Sequence, residues 1–414
     1  MTLAIFLNNK LISCDTILPV AMEVHARTGE PVSFFTTDYR TFDAIRANVV
    51  LWDGIHRIGR LVLLGSRSKR PVRKLLNKIR VALILAPLLV KAKLSRTRLL
   101  HFRALNQPPL DLFARIAPDT VYFCESDSYG ENELMQKIAE VSVARQRDGA
   151  PPTGGSLVAF QPKWVWLSDP AVRGMPQYVF GPTRTRKVWL DYVHAVADRF
   201  HRELFAAAGE GDHRETLVFM LGYLGKLDYM KDAQATQRLL GETLQILADE
   251  SGGRPILLKP HVITDMTLVT PLVEALRKQG VKIVVANLHP SILATRGRAF
   301  VANYYSTTLA DAFLLGVPTI EYTDYSERAL AITGGGSMRP EYVSHFILGD
   351  REKLRNAIRA LLMKERVPLP RGIARDPSGL IARLVGDATM VMQRTSEQDI
   401  IPAQASCGRK RRRS

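Results

Sequence analysis

Two short polar stretches, Lys259-Pro260-His261 and Ser306-Thr307-Thr308, each directly follow an apolar run that reads as a buried strand, and their side chains are of the kind that grip phosphate. In open parallel sheets, ligands bind beyond the carboxyl ends of the strands. Residues 304–322 (YYSTTLADAFLLGVPTIEY) combine a hydroxyl-rich turn, a short helix over 309–315, a stop at Gly316 and Pro318, and another strand. At such a helix start the unpaired backbone N–H groups and the positive dipole end favour an anion by ~0.3–1 kcal/mol, and hydroxyls add donors. Ser and Thr are also ordinary helix caps, so the segment alone leaves both readings open. Pro260 lacks an N–H, ends the strand over 255–258 and fixes the backbone that presents His261.

Other residues fit around this pair. Gly222-x-x-Gly225 follows the strand 216–221, where glycine lets a ligand approach the backbone closely and where a plain turn is the alternative. His289-Pro290 rivals His261, although three residues separate it from the strand that ends at Val285. Glu321, at the end of the strand 319–322, is placed either against a nucleotide ribose or base, or as a buried polar strand end. In the first half, Glu125-Ser126-Asp127-Ser128-Tyr129-Gly130 follows the strand 120–124. Its carboxylates can serve as a general base whose pKa rises by desolvation in a closing cleft, as a divalent-metal and diphosphate site, or as a solvated turn capping the helix at Glu131.

On these residues the chain resembles nucleotide-sugar glycosyltransferases of the GT-B type, in particular the bacterial group that builds capsules and surface glycans. In bacterial sialyltransferases and polysialyltransferases, and in related capsule and glycerophosphate transferases, a Lys-Pro-His-Pro or His-Pro motif and a Ser-Ser or Ser-Thr motif hold the donor phosphate. The matching residues are Lys259-Pro260-His261 and Ser306-Thr307, with Val262 standing where the longer motif has Pro. An acidic motif of the Asp/Glu-Asp-Gly kind supplies the base in those sialyltransferases. Its counterpart is 125–130, with Ser126 between the two acids and Gly130 late. The resemblance implies an inverting, metal-independent transferase without a cofactor, whose donor is CMP-sialic acid or another CMP-sugar, with UDP-sugars and CDP-glycerol open. Asp127 or Glu125 would deprotonate the acceptor. His261, Lys259, Ser306, Thr307 and Thr308 would hold the departing phosphate, with Gly222, Gly225 and Glu321 lining the donor. The acceptor implied is a cell-surface glycan or glycolipid; a nucleotide-sugar epimerase of the same shape is the alternative.

The elements that must position these residues alternate. Apolar strand candidates at 3–7, 31–35, 99–102, 120–124 and 157–160 interleave with helices at 15–27, 110–116 and 131–145, and a helix covers 191–209. A second alternation starts at 216, with strands at 216–221, 255–258, 281–285, 298–304 and 319–322 and helices at 233–248, 270–278 and 351–364. This βαβα order predicts an α/β protein of two doubly wound, Rossmann-like domains facing across a cleft, the GT-B layout. Residues 1–210 form the acceptor-side domain and 216–365 the nucleotide-sugar domain. The polar 209–215 is the linker, and 366–414 carries a last helix at 378–393 that crosses back and a basic tail. A chain of 414 residues exceeds what one core usually supports.

Cys14, Cys124 and Cys407 are too few and too scattered for a disulfide scaffold or a Cys-ligated zinc, which points to a reducing cytoplasm. Residues 1–11 read as a first strand and not as a secretory signal. A net charge of +17 calls for an acidic partner. Between 67 and 103 basic residues flank the apolar run 81–90, which is too short to span a bilayer. The segment reads either as a helix lying on an anionic inner leaflet or as a buried helix with solvated ends. The tail 409–413 (RKRRR) has no interleaved aromatics, and no specific nucleic-acid motif occurs.

Overall fold

The computed structural model describes residues 1–8, 11–66, 70–102, 108–125, 154–160, 174–261, 264–306, 308–366, 368–370, 372 and 376–387. The expected helices over 131–145 and 378–393 lie wholly or partly outside them, and the basic tail wholly.

Two parallel sheets organise the chain. The first holds β1 (Thr2–Leu7), β2 (Val32–Thr36), β3 (Gly59–Leu63), β4 (Thr97–His101), β5 (Val121–Cys124), β6 (Ser156–Ala159) and β7 (Gln177–Val179) in the order β3-β2-β1-β4-β5-β6-β7. The second holds β8 (Thr216–Met220), β9 (Ile256–Lys259), β10 (Ile283–Val285), β11 (Gly297–Asn303), β12 (Thr319–Thr323) and β13 (His345–Leu348) in the order β10-β9-β8-β11-β12-β13. Both follow the Rossmann sequence 3-2-1-4-5-6, so each reverses direction beside its first strand and leaves a crevice there. The expected pair of doubly wound domains is therefore what the chain forms.

The central strands are apolar on both faces, as strands covered by helices on both sides must be. In the first domain one face packs on α1 (Leu11–Thr28), α2 (Tyr39–Ala47), α3 (Val49–Ile58) and α6 (Lys187–Ala207). The opposite face packs on α4 (Pro71–Lys93) and α5 (Leu110–Ile116). The first of these cores continues into the second domain through Leu257, Val284, Ile292 and Leu309, so the two domains share apolar surface. The other face of the second sheet is filled by residues of α7 (Ala233–Glu250), α8 (Met266–Lys278) and the helix Arg351–Met363. The short helix Leu380–Val385 packs on α1, returning the chain to the first domain.

Three strands were not anticipated from the sequence: β3, β7 and β13. Each is short, lies at a sheet edge and carries polar or glycine residues. Gly59 opens β3 because the chain passes so close to Val32 that a Cβ would sit 1.7 Å from its carbonyl oxygen.

Candidate functional site

Strand register decides which polar residues share an edge. Met220 on β8 pairs with Lys259 on β9 on one side and with Ala302 on β11 on the other. Lys259 and the chain leaving β11 thus stand two strand spacings apart, about 10 Å, with the exit of β8 at Gly222 between them. That is the crevice where the sheet order reverses. The two polar stretches of the sequence therefore frame one edge.

On this edge the Thr308 hydroxyl is not used as a cap. Thr308 precedes α10 (Leu309–Leu314) but makes no side-chain cap hydrogen bond. Its hydroxyl lies 2.5 Å from that of Ser306 instead. The helix ends near Gly316, whose φ of 77° is left-handed. Thr307 and Val262 lie outside the described residues. Just before Ser306, Tyr304 takes φ 62°, a conformation that costs a non-glycine residue on the order of 1–3 kcal/mol. A cage of Tyr229 and Tyr325 rings, with centroids 6.1 and 5.6 Å from that of Tyr304, holds it there. The strain sets the direction in which the hydroxyl loop leaves the sheet.

Lys259 is half-buried, and burial lowers its pKa while nearby Asp15 opposes the fall. The His261 pKa is lowered, first by its surroundings and then by the charge of Lys259. Its backbone N–H donates to Thr264 Oγ1 (2.9 Å), whose hydroxyl donates to the carbonyl of Gly222 (2.9 Å). This chain of bonds ties the Lys-Pro-His turn to the glycine loop. At Gly222 a Cβ would meet open space.

The first domain meets this edge with a charged cluster that the sequence reading did not assemble. Asp15, on the first turns of α1 beyond the carboxyl end of β1, accepts from Arg184 Nη1 (2.8 Å) and from His289 Nε2. Arg184 also pairs with Asp311 on α10. The turn Thr183–Thr185 that carries Arg184 is fixed next door, where Arg186 donates from Nε and Nη2 to both oxygens of Glu23 on α1 (2.7–2.8 Å). His289 precedes α9 (Pro290–Ala294), and its Nδ1 accepts the N–H of Ser291 (3.0 Å). With Nδ1 accepting, the proton sits on Nε2 and is donated to Asp15. The Trp189 ring stands edge-on to His289 (5.1 Å), and its Nε1 donates to Ser291 Oγ (3.2 Å).

The electrostatics follow from these contacts. Burial would raise the Asp15 pKa, but Arg184, His289 and Lys259 together hold it well below the usual carboxylate range. Burial raises that of Asp311 against the pull of Arg184. Arg184 is held charged, because its two carboxylates outweigh its own desolvation. With both nitrogens engaged, His289 has no lone pair left for a substrate. The four residues join the domains.

Two expected site residues are buried and engaged by neighbouring groups. Glu321 is fully buried, and its oxygens accept from Tyr325 and Ser337 (2.7 Å each). It forms a buried strand end, and its desolvated carboxyl is pushed up to about 7. Glu125 is also buried, with Oε1 accepting the N–H of Phe160 (2.6 Å), so it ties the end of β5 to that of β6. Asp127 lies outside the described residues. Gly225 stands in the same loop as Gly222, against the Tyr223 ring.

No family model matches the chain, and no curated protein does. Solved structures similar to it include a UDP-GlcNAc 2-epimerase of Methanocaldococcus jannaschii in complex with UDP-GlcNAc and UDP. It is 15% identical over 95% of this chain and 99% of its own, with a TM-score of 0.43. MurG of Acinetobacter baumannii is 12% identical over 94% of this chain and 95% of its own, with a TM-score of 0.40. MnaA of S. aureus, solved with UDP, is 10% identical over 90% and 93%, with a TM-score of 0.49.

Proposed function

We propose that the chain is a nucleotide-sugar-dependent glycosyltransferase that binds its donor diphosphate or phosphate at the carboxyl edge of the second sheet. The observation that carries this reading is the register that sets Lys259, Gly222 and the paired hydroxyls of Ser306 and Thr308 around one crevice. Lys259 supplies charge, the hydroxyls and Thr307 supply donors, and His261 stands beside Lys259 to stabilise the departing phosphate. Because Phe160 holds Glu125, Asp127 keeps the role of acceptor base on the opposite domain. Asp15 is too acidic for that task. It orients Arg184 and His289 and closes the cleft.

A CMP-linked sugar is the donor that the motif order favours, with UDP-sugars and CDP-glycerol as its competitors, and the acceptor is a glycan or a lipid-linked glycan. The reaction uses no cofactor. A thermal-shift screen against CMP, UDP, CDP and GDP tests the reading, since a ligand at a hundred times its Kd raises native-state stability by about 2.7 kcal/mol. One nucleotide is expected to shift the wild type and not the Lys259→Met variant. Absence of a shift with all four would sink the proposal. Donor incubated alone must stay unepimerised; formation of an epimer without acceptor would replace the transferase with an epimerase.

A further inference from the structure

Helix α4 presents its apolar residues to solvent and not only to the core. Its inner side packs through Leu85 and Ala92, with Val81, Ile84, Leu88 and Leu89 half-buried, against Phe6, Phe35, Leu99 and Phe113. That accounts for one face. On the opposite face stand Val72, Leu75, Leu76, Ile79, Leu83 and Val90, between 50% and 70% exposed, and Leu94 continues the row just past the helix end. At 3.6 residues per turn these seven positions fall within an arc of roughly 100°. A helix resting on a domain should turn polar residues outward, so a second apolar stripe has a different partner.

Charge identifies that partner. The 23 residues of α4 contain no Asp or Glu, whereas Arg73, Lys74, Lys78, Arg80, Lys91 and Lys93 are basic. On the same projection Arg73, Arg80 and Lys91 flank one side of the stripe, and Lys78 and Lys93 the other. Arg80 is turned toward the domain, donating to the carbonyl of Leu63. Apolar residues on the outermost line with cations along both flanks match a bilayer interface, where the stripe enters the acyl boundary and the ammonium groups reach anionic headgroups. Among the described residues no helix is long and apolar enough to cross a membrane. The core beneath α4 is built entirely from the first domain, so the stripe lies on the face away from the shared interdomain core.

We propose that α4 docks the protein on an anionic lipid surface, lying in the plane of the interface without spanning it. The inference does not depend on which reaction the cleft performs.

The test is flotation of the full chain with vesicles of phosphatidylcholine and phosphatidylglycerol at 7:3, against pure phosphatidylcholine. Binding is expected only to the anionic vesicles and is expected to weaken in 0.5 M salt. The triple variant Leu75→Ser, Leu76→Ser, Leu83→Ser removes the stripe and is expected to abolish flotation. The triple variant Arg73→Gln, Lys78→Gln, Lys91→Gln keeps every apolar residue and is expected to lower the partition coefficient about a hundredfold, at about fivefold per cation. It also serves if the first variant misfolds, which circular dichroism and the melting temperature reveal. Deletion of residues 409–414 is expected to leave most binding intact. Three results would overturn the proposal: equal binding to neutral vesicles, binding lost with the tail but kept in both α4 variants, or a wild-type dimer that the serine variant dissociates while no vesicle binds.

Discussion

Arg184 is the cation on which the interdomain cluster depends, and its removal has a calculable consequence. The Asp311 side chain is 1% exposed and pairs with Arg184, while Asp15, 18% exposed, takes Nη1 of the same guanidinium. Arg184→Met keeps the aliphatic volume and leaves Asp311 enclosed without its ion-pair partner. Breaking a buried pair from one side costs about 3–5 kcal/mol, whereas an exposed pair costs about 0–1. Weighting the enclosed Asp311 contact by the first range and the wetter Asp15 contact by the second gives about 4 kcal/mol. Urea unfolding followed by Trp fluorescence measures it, with Trp189 beside His289 reporting on the interface. Adding Asp311→Asn to the Met variant removes the stranded charge and is expected to restore about half of the loss.

The pH dependence has a definite sign. Asp15 has a depressed pKa, so its contribution is present above the usual carboxylate value and is lost as pH falls. Without Arg184, Asp311 rises further and is tolerated best when protonated. Both effects make the gap between wild type and Arg184→Met widest near pH 8 and narrowest in acid. A loss below about 1 kcal/mol at pH 8, or a gap that widens in acid, would refute the account of the cluster as a buried junction.

Two further outcomes follow from single residues. Glu321, raised to about 7 by burial, favours the folded state when protonated; that contribution is complete below about pH 4.5 and is lost as pH rises through about 7. Ionising it therefore costs about 3 kcal/mol at pH 9, so the melting temperature of Glu321→Gln should rise relative to that of the wild type as pH passes through about 7 and stand above it in base; a difference that does not change with pH would contradict this. Gly222→Ala adds a methyl group where nothing lies within 4 Å, so stability should change by less than about 0.5 kcal/mol, while affinity for the nucleotide found in the thermal-shift screen falls at least about tenfold. Unchanged affinity would remove Gly222 from the donor site.

The parallel sheets were legible because a strand covered on both faces must be apolar throughout, and runs such as Ile256–Lys259 and Gly297–Asn303 carry that signature almost unbroken. The edge strands β3, β7 and β13 show it weakly, since they are short, partly exposed and carry Arg60, Gln177 and His345. The polar edge of the second sheet was legible for a local reason, because polar residues directly after a buried strand have one place to go. The junction was not, because Asp15, Arg184, His289 and Asp311 come from four separate elements and meet only where the two domains pack together. His289 was set behind His261 on the three residues that follow Val285, yet the N–H of Ala286 still bonds to Leu258, so the ladder runs one residue past β10 and shortens the gap. A different signal was present all along. Asp15 lies in an otherwise apolar first half of α1, whose other acid, Glu23, is taken by Arg186, and Asp311 is the lone acid of LADAFL, so each sits in a stretch apolar enough to be buried. A buried carboxylate needs a cation or a hydrogen-bond donor from elsewhere in the fold. Two such acids, each just beyond a strand at the crevice of its own sheet, are both met by one cation between the sheets, Arg184 of the turn Thr183–Thr185.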